Sequence, residues 1–518
     1  MRSKLVAAIL CLAMSATMLA GCGGGTKASV NKAGGGDSGS KDNSNGEEII
    51  EIVWQYPSAG NLGAGFQDVE DALNEMLVKD VGTRVRFETC ELMSSQKEAS
   101  LMVSAGEQLD ISLTAFTGLG PLVESELIEP LDDLLDAHGQ DIKEQCGVLL
   151  DGCSYGNHVY GVPTAFMASV TYGYMMRTDL IEKYGIEIDP DKYYTHEELE
   201  EIFAVIKAGE GEKFYCTIPW NTTKEPLNNS YIEYDKLTGS LSGGVLMLNR
   251  SFDDTTVYNL FETDEYKAYC DMMYRWAQKG YISSDAAVTT EQPEVILSTG
   301  NYLGMFFWTD PGAEATMEAG IPYDMTIVNI LAPYVANNGG QVVMWNIPIT
   351  SKNPEKAMET LNYIYKNKEA AWLLQFGIEG QSYEVLERSD DGILIQYLSD
   401  DVTTLPYMQV YGVYGNRFEW PAVTPAPIDI NKQFRDHDDG VPKSRYSPAL
   451  GYTFVQTNVS SEVAAVETVI DQYAPSFNSG ALDPEKAWPE FISALKAAGI
   501  DTIIKENQNQ LNEWRTNQ

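Results

Sequence analysis

Between Ile49 and Phe116 the hydrophobic period of the sequence changes four times. IIEIVWQYP (49–57) is a β-rich run closed by Pro57, and GFQDVEDALNEML (65–77) sets Phe66, Val69, Leu73, Met76 and Leu77 on one helical stripe. RVRFETC reads as the next strand, QKEASLMVSAGE as a helix, and LDISLTAF as a further strand. This alternation is the pattern of an α/β protein. It continues in YYTHEELEEIFAVIKAG, where Thr195 and Glu198 form a capping box ahead of Leu199, Ile202, Phe203 and Ile206. Asn353 and Pro354 mark another helix start, Gly377 stops EAAWLLQFG, and two helical segments close the chain. No internal repeat is present. From Glu48 to Gln518 the body runs to roughly 470 residues, more than one ordinary core holds, so two domains are expected.

The start of the chain has a different character. Arg2 and Lys4 precede an apolar run from Leu5 to Leu19, shorter than the ~20 residues a spanning helix needs. It ends in Leu19-Ala20-Gly21-Cys22, which matches a bacterial lipoprotein signal. Residues 1–21 are therefore expected to be the signal and Cys22 the lipidated first residue, anchored to the outer face of a cell membrane. Residues 22–47 hold almost no large apolar side chain and read as a disordered Gly/Ser-rich tether. Such a tether reaches about 25–30 Å.

The net charge of −40 argues against nucleic acid and against a basic lipid-binding patch. Five cysteines remain beyond Cys22 (Cys90, Cys146, Cys153, Cys216 and Cys270), an odd number without tight spacing. Cys146 and Cys153 could pair or stay free. The four histidines are scattered, and there is no HExxH, GxSxG or P-loop motif. RDHDDG (435–440) departs from a calcium loop at its glycine and at Ser447, and reads as a solvated acidic loop. No metal or cofactor is expected, and no local motif marks a carboxylate pair for glycoside hydrolysis.

In order, IVWQYP, SAGEQLDISLTAF, LIEPLDDLL, VYGVPTAF, YMMRTDLIEKYGI and YTHEELEEI resemble the family 1 extracellular solute-binding proteins of ABC importers. Met176-Arg177 stands where that family usually has Tyr-Asn. PITSKNPEKAMETLNYIY, LLQFGIEGQSYEVL and the closing helices resemble its larger lipoprotein branch, associated with oligosaccharide uptake. The resemblance implies a two-lobed periplasmic-binding-protein-like α/β fold of type II, with hinge-linked lobes around a central ligand cleft. It implies a monomer that binds an oligosaccharide or other polar solute, hands it to permease subunits and has no catalytic activity. Lobe 1 is expected at 48–165 plus 332–386 and lobe 2 at 166–331 plus 387–518. Crossings are expected near Pro163–Val170, Asn329–Tyr334 and Glu384–Arg388.

Sugars offer apolar C–H faces and hydroxyl rims, so a sugar cleft wants flat aromatic rings beside carboxylates, amides or arginine. Candidates are aromatic and polar residues at strand ends or in loops bounded by Pro and Gly. They are Tyr56, Thr114, Phe116, Tyr172, Trp220, Trp308, Asp310, Trp345, Asn346, Arg417, Glu419 and Trp420. Trp308-Thr309-Asp310, emerging from a buried-strand run and stopped by Pro311, fits best. Competing readings are a peptide-binding relative, a surface glycoside hydrolase and an adhesin. Ligand turnover would reveal the hydrolase, and absence of small-ligand affinity the adhesin.

Overall fold

The structure, a computed structural model, describes residues 48–58, 62–218, 230–289, 291–337, 339 and 342–516. The expected signal, Cys22, the tether and Trp220 lie outside the described residues. In chain order, the strands that position the site are β1 (Ile50–Ser58), β2 (Thr83–Glu91), β3 (Ser112–Ala115), β4 (Val162–Pro163), β5 (Ser169–Val170), β6 (Tyr172–Arg177) and β7 (Tyr215–Thr217). They continue with β8 (Tyr302–Trp308), β9 (Met325–Asn329), β10 (Tyr334–Val335), β11 (Val343–Asn346), β12 (Tyr383–Ser389) and β13 (Gly392–Tyr397). The helices that matter are α1 (Phe66–Asp80), α2 (Gly120–Glu124), α3 (His196–Glu210), α4 (Asp264–Gln278), α5 (Pro354–Lys366), α6 (Lys368–Phe376), α7 (Ile430–Asp439), α8 (Ser460–Asn478), α9 (Pro484–Ala498) and α10 (Ile500–Thr516).

Two large cores form two lobes. In the first, β1 runs parallel to β2, and β3 and β4 flank antiparallel β11. A parallel bridge between Trp54 and Ile111 joins the two groups, and α1, α5 and α6 cover them. In the second, β6 lies between β9 and β8, with β7 parallel to β8 at the edge. Tyr174, Phe203, Trp276 and Phe306 pack there with Phe454, Val466, Phe491 and Ile503 from the C-terminal region. The local signals act as their chemistry requires. Thr195 Oγ1 accepts from the Glu198 amide while the Glu198 carboxylate accepts from the Thr195 amide, closing the capping box of α3. Gly377 ends α6 at a φ of 79°, a conformation an L side chain adopts only with strain.

Between the lobes, β5 pairs antiparallel with β10, and Val335 also bridges Tyr446. Three chain segments thus run side by side as a hinge. The crossing expected near Glu384–Arg388 is corrected, because those residues lie in β12, which forms a hairpin with β13 that packs against Phe376. The chain then returns, and Tyr407, Val413 and Tyr414, expected in the second lobe, pack into the first core. Its last crossing is at Tyr446.

All five described cysteines are buried and none forms a disulfide, so no bridge links Cys146 to Cys153. Cys146 Sγ donates instead to the Pro163 carbonyl at 3.4 Å.

On α3, burial pulls the Glu200 carboxyl upward, but hydrogen bonds from Arg275 at 2.8 Å and Lys279 at 2.5 Å outweigh it and bring it down to about 2. A carboxylate held below its unfolded value contributes stability that is present above that value and lost as pH falls through the folded one. In Glu200→Gln the melting temperature is expected to drop less between pH 5 and 2 than in the native protein, and thermal unfolding across that range checks it.

Candidate functional site

The strand directions set where a ligand can sit. The chain enters β6 from hinge strand β5, so Tyr172 lies at the hinge end of the second sheet, and register pairs it with Trp308. β7, β8 and β9 therefore end their carboxyl termini at the hinge. In the first lobe β11 follows hinge strand β10, and its first residue, Val343, pairs with Ala115, the last of β3. Both lobes turn the carboxyl ends of strands toward the hinge, the place where open α/β sheets bind ligands.

At this floor the structure gathers several of the expected residues. The Tyr172 and Trp308 rings are half-buried, 6.3 Å apart and tilted by 38°. Two residues on, burial raises the Asp310 carboxyl, while the charges of His437 and Arg417 pull it back. The Arg417 guanidinium lies 3.9 Å from the centre of the Phe166 ring and 5.4 Å from that of Trp420, both within cation–π range. Phe166 also meets Phe418 and Phe434 at 5.4 and 5.0 Å. Gly173 lets β6 approach the loop after β8, since a Cβ there would stand 2.7 Å from the Thr309 methyl.

Helix α7 brings His437 to the same place. The Asp438 carboxylate beside it accepts from the Ala168 and Ser169 amides at 2.9 and 2.7 Å, fixing the helix to the hinge. RDHDDG is thus the last turn of a helix and its cap rather than an acidic loop. Burial lowers the His437 imidazole, opposed by Asp310 and Asp438. Among the described residues, His437 Nε2, Thr309 Oγ1 and Trp420 Nε1 are buried with no hydrogen-bond partner. Buried polar atoms left unpaired cost about 1–3 kcal/mol each. Thr309 and His437 stand beside Gly173 and Asp310, whereas the Trp420 ring packs edge-on to Phe376 at 5.6 Å, with the cluster of the β12–β13 hairpin.

The remaining candidates are placed elsewhere. Tyr56 is 2% exposed, with its hydroxyl donating to that of Tyr407 at 2.8 Å, and so belongs to the first core. Trp345 is 1% exposed, edge-on to Trp54 at 5.3 Å, and its Nε1 donates to the Val413 carbonyl. Thr114 and Asn346 are fully buried and satisfy each other at 2.6 Å. These four are corrected from cleft to core: loop 407–414 folds over Tyr56 and Trp345, while Thr114 and Asn346 turn to the other face of the sheet, where the Asn346 amide donates to the Tyr160 carbonyl at 2.7 Å. Glu419 is exposed and paired with Arg435 at 2.7 Å. Phe116 stays at the hinge-facing end of β3, half-buried, with φ of 60°. Positive φ at a bulky residue is stored strain of the kind found at binding sites. Phe166 and His437 were missed by the sequence reading. The first closes VYGVPTAF and was readable as a hinge aromatic, whereas the second carried no local signal.

A surface cavity of about 340 Å³ opens elsewhere, beside Asp285, Glu291 and Tyr302. Tyr302 is the opposite end of seven-residue β8, ~20 Å from Trp308 at about 3.3 Å per residue, so the cavity is separate from the cleft floor.

Residues 67–371 match the family model for bacterial extracellular solute-binding proteins, well over half of the chain. The chain belongs to this family. In this solute-binding protein, residues 448–516 also match a domain of unknown function, DUF3502. A carbohydrate ABC transporter substrate-binding protein from Streptococcus pneumoniae serotype 4 is 24% identical over 86% of this chain and 87% of its own. The N-glycan transport solute binding protein (NgtS) of S. pneumoniae superposes with a TM-score of 0.75 at 23% identity, covering 90% of this chain and 99% of that one. The NgtS crystal with Man5GlcNAc gives 0.64 at the same 23% identity, over 91% and 99%. An HMO-binding solute-binding protein of Bifidobacterium longum infantis gives 0.58 at 13% identity, over 90% and 99%. At these identities the superpositions establish the two-lobed solute-binding fold. Between the two NgtS crystals the identity is unchanged, so the difference in score is one of shape.

Proposed function

We propose that this protein captures a carbohydrate of oligosaccharide size in the interlobe cleft and delivers it, unaltered, to the membrane subunits of an ABC importer. The observation that carries the reading is the Tyr172–Trp308 ring pair at the hinge end of the second sheet, next to Thr309 and Asp310. Flat rings cover the C–H faces of a sugar, and polar side chains beside them take its hydroxyls. Asp310 and Arg417 add a carboxylate and a guanidinium to the rim. The relatives named for carbohydrate, N-glycan and HMO binding support the same class of ligand. Cys22 carries the lipid that keeps the monomer on the outer membrane face, near its permease.

The test is a thermal-shift screen of the chain from Glu48 onward against oligosaccharides, peptides and polyols. A ligand at a hundred times its dissociation constant adds about 2.7 kcal/mol to the folded state. A shift with one glycan class is expected, and the glycan should be recovered unchanged. A shift with peptides alone would overturn the carbohydrate assignment.

His437→Ala is expected to weaken glycan binding about tenfold, or ~1.4 kcal/mol, with the melting temperature of the free protein unchanged. At neutral pH the lowered imidazole is uncharged. Affinity is therefore expected to stay flat from neutrality upward and to fall once acid reaches the raised Asp310 carboxyl and the imidazole. Calorimetric titration over a pH series checks both outcomes.

A further inference from the structure

Beyond the hinge, one more segment touches both lobes. It opens the 448–516 region that matches a domain of unknown function. From Tyr452 to Thr457 the side chains alternate in direction. Tyr452 and Phe454 are buried in the second core, and Tyr452 donates to Asn507 Oδ1 at 2.7 Å. Val455 packs instead against the Leu119, Leu122 and Tyr155 cluster of the first lobe. Thr453 Oγ1 donates to the Ser154 carbonyl at 2.8 Å, and Thr457 Oγ1 donates to the Glu124 carboxylate at 2.9 Å. Glu124, at the end of α2, also accepts from the Tyr155 hydroxyl. On the other side, the Gln510 amide of α10 takes both backbone groups of Val455 at 3.0 Å each. Gly451, with φ of 89°, lies between Asp151 of the first lobe and Trp514 of α10, where a Cβ would find atoms at 3.4 and 3.6 Å.

We propose that residues 451–457 are an interlobe latch, and that the C-terminal region serves to hold the lobes apart until a ligand closes them. The segment is stapled to α10, so any rotation of the second lobe about β5, β10 and Tyr446 must carry it across the first lobe's surface. Thr453–Ser154, Thr457–Glu124 and the seat of Val455 then shear together. These contacts belong to a lobe arrangement that fits NgtS at 0.75 and its Man5GlcNAc complex at 0.64. The latch is thus part of what ligand contacts must overcome on closure.

Two variants approach it from opposite lobes: the Thr453→Val, Thr457→Ala double substitution, and Glu124→Ala at an exposed position that leaves both cores intact. Small-angle scattering of the protein without ligand reads lobe separation directly. Each variant is expected to shift the distance distribution to shorter separations, and adding Glu124→Ala to the double substitution should change little further, since the Thr457–Glu124 contact is already cut there. With Man5GlcNAc as probe, affinity is expected to rise roughly threefold. Unchanged or longer separations in both variants, at an unchanged melting temperature, would overturn the latch. The scattering result requires no sugar, so a failed carbohydrate assignment would not disturb it.

Discussion

Trp308→Ala is expected to lower glycan affinity about a hundredfold, or ~2.7 kcal/mol, the scale of a central aromatic anchor. The ring is half-buried at the carboxyl end of β8 and meets Tyr172 at 6.3 Å. Truncation removes the flat face and leaves Tyr172 alone against the sugar. Trp308 is not in the main core, so the free protein should melt within a few degrees of the native one. Trp308→Phe keeps a smaller face and should fall between the two. Isothermal titration paired with thermal unfolding separates the effects, and a hundredfold loss with an unmoved melting point is the expected signature. Unchanged affinity in Trp308→Ala would place the ligand elsewhere.

Trp345→Ala should behave in the opposite way. It is 1% exposed, packed edge-on to Trp54 and stacked with Tyr414 at 5.5 Å, and its Nε1 holds loop 407–414 through the Val413 carbonyl. Deleting a buried tryptophan costs about 3–5 kcal/mol through lost transfer energy and the cavity left behind. The Val413 carbonyl also loses its donor. A clear fall in melting temperature is expected, while the remaining folded protein keeps its glycan affinity. Trp345→Phe should recover part of the stability. Both tryptophans end an apolar run before a proline, and although the sequence favoured Trp308, these two results would tell core from cleft.

The secondary structure was legible wherever chemistry acts over a few residues. The Thr195–Glu198 box, Pro354 at the first helical position and Gly377 after α6 each satisfy or terminate a helix by local geometry. Asp110, at the foot of β3, accepts from the Val53 and Lys352 amides and the Ser351 hydroxyl. β12 was mistaken for a crossing because a strand that leaves a lobe and a strand that opens a hairpin share one alternating pattern. His437 was passed over because its partners, Asp310 and the hinge amides beside Asp438, lie far away along the chain.

The sequence alone determined the α/β class, the two-core size, the family and the strand-end position of Trp308 and Asp310, because periodicity, capping and ordered motifs are local and additive. Only the tertiary structure decided which strand-end residues face the cleft. Loop 407–414 buries Tyr56 and Trp345, α7 swings His437 up to Asp310, and residues 451–457 wedge between the lobes. Each depends on which surfaces a returning chain covers, and burial of that kind comes from contacts between segments distant in sequence, which no local pattern records.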